Sequence, residues 1–455
     1  MMRSMFSAVS GLRAHQLRMD VIGNNIANVN TVGFKGSRVT FQEVFNQTLR
    51  GAGAPQQGRG GTNPQQVGLG INVASMDTFH IRGAVERTDY NTDLMINGDG
   101  FFIVGDGDTR SYTRAGSFVL DEAGNLVTPE GFKVMGYMYD EKTGKMGTTL
   151  EGIEVSRGLS FDAMSTGANY PSPGVFFEGN LNADVKPAGA MNNEDPPKFE
   201  VKPPEAGTAL EDIKDNEGKS AVARDTTFTV YDELGGAHEV RLAFVKTGAN
   251  EYNVYTVDKD GRITDVGPHP IEFESDGTIK TGQTMELKRV DLDDTGNEKD
   301  LLENGAKKFE FKISFEKLTQ FANESDASAT SIHGYKQGSL SDFAVDSNGV
   351  ITGYFTNNQM RPIGQVALAN FKNPAGLEKT GNNLYRVTSN SGEPMIGNPG
   401  TGGRGALNPG ALEMSNVDLS REFTNMITTQ RGFQANSRVI TASDEMLQEV
   451  VNMKR

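Results

Sequence analysis

Two stretches with helical periodicity stand at opposite ends of this chain, and no other feature restricts its fold as strongly. Near the start, Met5, Val9, Leu12, Gln16, Met19, Ile22 and Ile26 recur at steps of three and four, which is one helical stripe with a near-heptad rhythm. Near the end, Leu419, Phe423, Met426, Gln430, Phe433, Ser437, Ile440, Asp444, Leu447 and Val451 alternate steps of four and three. Ser415-x-x-Asp418 resembles a capping box, with Asp where Glu is preferred. The pattern predicts a helix over 416–454, about 55–60 Å long at 1.5 Å per residue. Gln430, Ser437 and Asp444 interrupt its stripe, so it reads as a helix needing several partners rather than a self-sufficient coiled coil.

Each terminal stripe is joined to the rest by a glycine-rich stretch. Residues 51–70, GAGAPQQGRGGTNPQQVGLG, hold seven glycines and two prolines, and residues 391–412 hold seven and three. Such composition reads as flexible linker. The resulting plan is helix, linker, body, linker, helix. It predicts a terminal helical domain from 1–30 plus 414–455, connectors at 31–70 plus 391–413, an inner β domain from 71–160 plus 331–390, and an outer acidic β domain at 161–330.

The body carries short apolar runs between Gly, Asn and Asp, as strands do. One pattern, aromatic-x-(Leu/Val)-Asp-x-x-Gly-x-(Leu/Ile), occurs at Phe118–Leu126, Tyr255–Ile263 and Phe343–Ile351. Asp starts the turn and Gly takes the positive φ of a bulged hairpin. The predicted fold class is multidomain and mainly β, with sandwich or barrel-like domains and terminal helices pairing in a coiled-coil-like inner domain. Residues 185–220, rich in Pro, Lys and Glu, read as a long surface loop or weakly ordered insertion.

Charge is concentrated in the middle. Residues 161–330 hold 33 acidic and 18 basic side chains, which is the whole net charge of −15. Such a surface is a poor nucleic-acid binder. The chain has no Cys, which excludes disulfides, thiolate nucleophiles and zinc–thiolate sites. The first twenty residues lack an uninterrupted apolar region, so no cleavable secretory signal is expected. No segment has the length of apolar sequence that membrane insertion needs.

No chemistry-bearing constellation emerges. His15, His80, His238, His269 and His333 are scattered without metal-ligand spacing, and His15, off the stripe, reads as solvated. Asp258–Gly261 lacks the further ligands of a calcium loop and reads as a turn. The Gly-x-Gly of NGDGFFIV lacks the third glycine and the following helix of a dinucleotide site. The expectation is no catalytic, metal or cofactor-binding residue, and no enzyme. Instead, two exposed amphipathic helices on linkers cannot bury their stripes against the body. Isolated helices are marginal, so they should be disordered in a monomer and order on assembly around an axis, giving a tube or filament.

A resemblance becomes specific at this point. SAVSGLRAHQLRMDVIGNNIANVNTVGFKGSR is similar to the N-terminal signature of bacterial flagellar rod and hook proteins, and LEMSNVDLSREFTNMITTQRGFQANSRVITASDEML resembles their C-terminal one. GDGFFIV, YTRAGSFVLDEAGNLVTPEGFKVMGY and GQVALANFKNPAGLEKTGNNLYRVTSNSGEP look like their shared β domain. FEGNLNADV and DTTFTVYDELGGAHEVRLAFVKTGANEYNVYTVDKDG look like the outer domain of the hook members. The resemblance implies a structural subunit of a curved flagellar tube that transmits torque from rod to filament. It implies a place in the basal body and hook, reached through the flagellar type III export apparatus without cleavage. It implies as partners copies of itself and rod, hook-cap, hook-length-control and hook–filament junction proteins. A distal rod protein is the nearest alternative, and an extracellular adhesin using the β body alone is the alternative from another class.

The stretch NNIANVNTVGFK closes the first stripe. Asparagine caps helices and tolerates left-handed backbone, so Asn24, Asn25, Asn28 and Asn30 end the helix and bond nearby groups, Gly33 permits a tight path and Phe34 anchors it. The expected subunit interface is Met5, Val9, Leu12, Ile22, Asn24, Asn25, Ile26, Asn28, Gly33, Phe34, Leu419, Phe423, Met426, Phe433, Ile440, Leu447 and Val451.

Overall fold

The computed structural model describes residues 2–453 except 56–59, 107–108, 141–142, 157, 170, 192–198, 202, 216, 265–267, 290–301 and 303–304. The chain divides into two compact units. The first comprises Met1–Arg157, Ser341–Tyr354 and Met360–Arg455, and the second Gly158–Leu340 with Phe355–Gln359.

In the first unit, helix α1 (Met2–Ala27) and helix α2 (Leu419–Asn452) lie against one another. Gly11 meets Asn436, His15 meets Gly432 and Asn25 meets Glu422, so the pair is antiparallel and the paired numbers sum to 447 each time. The cap of α2 is Asp418, not Ser415. The Asp418 carboxylate accepts from the backbone N–H of Ser420 and Arg421, while Ser415 Oγ accepts only from Val417 N. A free carboxylate at the N-terminus satisfies two of the helix's orphan donors and complements its dipole.

The β part of this unit is a mixed-length antiparallel sheet. Its strands run in the order Val350–Phe355, Met360–Val366, Lys133–Asp140, Phe101–Asp106, Thr109–Thr113, Leu384–Arg386, Glu378–Gly381. Phe101, Ile103, Tyr112, Phe371 and Tyr385 form its core, with Phe371 packed edge-on to Tyr112 at 4.9 Å. A separate ribbon, Ser37–Glu43 paired with Ile71–Thr78, packs against α1.

The glycine-rich stretches are not open linkers. Asn46–Arg50 pairs with Gln65–Gly68 as a hairpin arm. Ala406–Pro409 pairs with Leu94–Asn97, and Ala411–Glu413 pairs with Val85–Arg87. The strands of the last two pairs are only three or four residues long, so they carry no legible alternation. They are held by partners more than 300 positions away.

The second unit stacks two sheets face to face. One has the order Thr284–Arg289, Phe309–Phe321, Pro173–Asn182, Ser328–Ile332, and the other runs from Val222–Tyr231 through Ala237–Lys246, Glu251–Val257 and His269–Phe273 to Ile279–Thr281. Phe177 of the first sheet meets Phe228 and Phe244 of the second, and Phe315 meets Phe244 at 5.8 Å, so both sheets fill one core. The architecture is mainly β with two terminal helices. Within 185–220, Gly189–Met191 pairs with Phe199–Val201, and Ala188 and Ile213 are buried with Ala221, Val245 and Tyr255. The segment therefore carries structure of its own, and its residues 192–198, 202 and 216 lie outside the described residues.

The predicted turns recur. In all three copies the glycine N–H closes on the Asp carbonyl: Gly124 on Asp121 at 3.1 Å, Gly261 on Asp258 at 3.0 Å and Gly349 on Asp346 at 3.0 Å. Their φ values are +87°, +74° and +77°. Asp121 and Asp346 also accept backbone N–H bonds at their carboxylates. The same turn forms at Asp215–Gly218, Asp232–Gly235 and Glu274–Gly277, where the flanking pattern is missing.

Candidate assembly interface

The helix pair meets through small and polar residues. On α1 the buried positions are Ala8, Gly11, Ala14, Ile22 and Asn25, and on α2 they are Thr429 and Ser443. A Cβ on Gly11 would lie 2.6 Å from Asn436 Nδ2, and one on Gly432 would lie 2.8 Å from the His15 ring. Glycine at these two positions is what lets the backbones approach. Thr429 and Ser443 turn their hydroxyls back onto the carbonyls of Asn425 and Val439, which removes their polarity from the seam.

This packing leaves the large apolar side chains outside. Phe6, Leu419, Phe423, Ile427, Val439, Met446, Val450 and Val451 are exposed, Phe423 by 50%. Of the residues expected at a subunit interface, Leu419, Phe423 and Val451 point outward, and Met5, Val9, Leu12, Ile26, Met426, Phe433, Ile440 and Leu447 are half-buried. Ile22, Asn25, Gly33 and Phe34 are buried within the single chain, so they belong to its own junction. Asn24 is exposed and Asn28 half-buried.

His15 is not solvated. It is half-buried beside Gly432, edge-on to Phe41 at 5.9 Å, and its Nδ1 has no hydrogen-bond partner among the described residues. Burial, then the Arg18 charge, lowers its pKa.

Below the helices, the asparagine-rich stretch locks onto the β part. Asn28 Nδ2 donates to the Asn24 carbonyl at 2.9 Å and closes the end of α1. Asn25 brackets Ser37, accepting from its N–H at 3.0 Å and donating to its carbonyl at 2.7 Å. Asn416 does the same work from the other end of the chain, accepting from Gly36 N and donating to the Phe79 carbonyl. Gly33 has φ +69°, and a Cβ there would lie 2.6 Å from Ala115 N. Phe34 is covered by the Lys379 ammonium, 5.1 Å from its ring centre.

A cluster that no sequence pattern announced lies at the centre of this junction. Lys35 Nζ donates to Glu413 Oε1 at 2.6 Å and to the Ile81 carbonyl at 2.9 Å, and both side chains are fully buried. Arg114 reaches Glu413 Oε2 at 3.5 Å and the Gly98 carbonyl at 2.8 Å. Gly83 N also donates to Glu413. Burial lowers the pKa of Lys35 and of Arg114, and Glu413 opposes it in both. His80, packed edge-on to Phe101 and Tyr385, is pushed down to about 4 by burial and then by Lys35, Arg114 and Lys379. The cluster rigidifies the base from which the helices emerge. Among the described residues no group of His, Asp and Glu is arranged to hold a metal, and no helix is long and apolar enough to cross a membrane.

Comparison with known proteins covers both units. Residues 5–35 match the family described as flagella basal body rod protein, 95–166 the flagellar hook protein FlgE/F/G D1 domain, 203–335 the flagellar basal body protein FlaE D2 domain, and 408–453 the flagellar basal body rod FlgEFG protein C-terminal. The flagellar hook protein FlgE of Borreliella burgdorferi is 37% identical and that of Treponema pallidum 38% identical, each over the whole of both chains. The flagellar basal-body rod protein FlgG of Bacillus subtilis is 30% identical, again over the whole of both chains.

Proposed function

Because the chain belongs to the flagellar hook protein family, we propose that it is a structural subunit of the flagellar hook that polymerises through its terminal helices. The observation that carries this reading is the α1–α2 pair, closed on itself by Gly11, Thr429, Gly432 and Ser443, with Phe423, Ile427, Val450 and Val451 left outside. An outward apolar face of that size on a folded pair calls for further copies. The assembled product is a curved tube that bends while passing torque from rod to filament. Subunits leave the cell through the flagellar export apparatus without cleavage. Rod, hook-cap, hook-length-control and hook–filament junction proteins meet the tube at its ends or during its growth. A rod subunit shares both helical ends, and the match at 203–335 to the D2 domain favours the hook.

The test is to raise the concentration of purified chain and follow it by sedimentation and electron microscopy. Tubes built by the chain alone support the reading. A monomer that persists at every concentration removes it.

A further inference from the structure

At the junction below the helices, one backbone carbonyl holds two side-chain nitrogens. Lys35 Nζ donates to the Ile81 carbonyl at 2.9 Å, and Asn416 Nδ2 donates to the same oxygen at 3.1 Å. An amine and an amide nitrogen are therefore neighbours on one acceptor. The Asn416 side-chain oxygen accepts from the backbone N–H of Gly36, the residue after Lys35, at 2.9 Å. That bond fixes the amide against the segment that carries the amine and polarises its carbonyl. Glu413 Oε1 lies 2.6 Å from Lys35 Nζ, within reach for proton transfer. Lys35 and Glu413 are fully buried, whereas Asn416 is half-buried and lines a cavity of about 450 Å³.

The charges of this site do not balance. Lys35 and Arg114 place two cations on the single carboxylate of Glu413, and His80 near them is neutral above about pH 4. Burial lowers the pKa of Lys35, Glu413 opposes the shift and Arg114 adds to it. A desolvated lysine that can pass its proton to a touching carboxylate becomes a nucleophile. Exchanging the Lys35 ammonium for an uncharged amide leaves one cation and one anion, Arg114 and Glu413.

We propose that Lys35 and Asn416 of the same chain join in an isopeptide bond, with Glu413 carrying the protons. Lys35 passes a proton to Glu413, and the free amine attacks the side-chain carbon of Asn416. The Nζ–Cγ bond forms and the Cγ–Nδ2 bond breaks. Glu413 gives its proton to the departing nitrogen and takes one from the attacking nitrogen. One ammonia leaves through the cavity and picks up the proton that Glu413 then releases. No oxidant, cofactor or second substrate takes part. The new amide N–H keeps the Ile81 carbonyl as its acceptor. The freshly folded chain holds the ion pair, and the linked form accumulates with time. The bond ties the segment after α1 to the segment before α2, so the base no longer rests on hydrogen bonds and ion pairs alone.

Mass spectrometry of the full chain tests it. Folded chain kept at neutral pH should lose the mass of one ammonia. Trypsin should then release residues 19–38 joined to residues 405–421 through Lys35 and Asn416. Chain held in denaturant should keep its full mass, because only the fold brings the three groups together. Asn416→Ala, with its fold checked by circular dichroism, should also keep its full mass. Glu413→Gln, measured below its unfolding transition, should form no link, and a link at the unmodified rate overturns the role of Glu413. Folded unmodified chain that retains its full mass overturns the inference. So does loss of ammonia without the joined peptides, or loss of one water with Lys35 joined to Glu413.

Discussion

Lys35 and Glu413, separated by 378 positions in the chain, form a fully buried ion pair 2.6 Å long. Neither charge has access to water, so each depends on the other and on Arg114 and the Ile81 carbonyl to offset its desolvation.

Removing one partner should therefore cost more than removing both. Glu413→Gln leaves the Lys35 ammonium buried without its counter-ion and should destabilise the first unit by about 3–5 kcal/mol in denaturant unfolding. Lys35→Met combined with Glu413→Leu should recover part of that loss, the remainder reflecting Arg114, which still loses its carboxylate. A double variant as unstable as the sum of the single ones would contradict the pairing.

Gly33 supplies a second measurable strain. Its φ of +69° and the 2.6 Å approach of a Cβ to Ala115 N leave no room for a side chain. Gly33→Ala should lower stability by roughly 1–3 kcal/mol, the usual range for strained backbone, read as a fall in Tm of the first transition. Gly144→Ala, also at positive φ but with only the Tyr139 hydroxyl near its Cβ, should cost less.

The pH dependence follows from His80. Its pKa falls from 6.5 to about 4 in the folded chain, so the unfolded chain binds the proton more readily. A depressed folded value means that the contribution to stability is complete above about pH 6.5 and is lost as pH falls toward 4, amounting to about 3 kcal/mol at most. Denaturant titrations at pH 7, 5.5 and 4.5 should show stability declining across this window. His80→Gln should flatten the slope. An unchanged slope in that variant would assign the acid sensitivity to other groups.

Phe423 tests the outward face. It is half exposed in the single chain, so Phe423→Asp should leave the thermal unfolding of the monomer within about 0.5 kcal/mol of its original stability. Polymerisation should be abolished, because the carboxylate would be buried unpaired at several kcal/mol per subunit. Gly432→Val acts differently. It drives a side chain into His15 and should loosen the helix pair itself, seen as faster amide exchange in α1 and α2.

How much of this was legible depended on whether a signal was periodic. The stripes of α1 and α2 announced two helices because apolar residues at three- and four-step spacing mean little else. The Asp-x-x-Gly turns were readable because each glycine has a conformational reason to stand where it does. The face by which the helices actually meet was not. Ala8, Gly11, Thr429, Gly432 and Ser443 are too small and too mild in polarity to mark a seam. Lys35, Arg114 and Glu413 each look like an ordinary surface charge in sequence, and only the fold removes them from water. The stretch 391–413 resembled a linker because its glycines are visible while its strands, Ala406–Pro409 and Ala411–Glu413, take their partners from residues 85–97.

Those cross-chain strands impose an order on how a subunit matures. Among the described residues, the strands Val85–Arg87 and Leu94–Asn97 have no strand partner until residues 406–413 arrive, Lys35 has no counter-ion until Glu413 does, and α1 has no helix to lie on until α2 has formed. The helical base of the first unit is thus a lock whose two halves lie more than 300 positions apart in the chain. A chain stopped short of residue 419 can still close the sandwich of the second unit, since every residue of that sandwich precedes the missing part. It cannot close the base. Closure of the base is thereby a certificate that the segment around Lys35 and the segment around Glu413 have met.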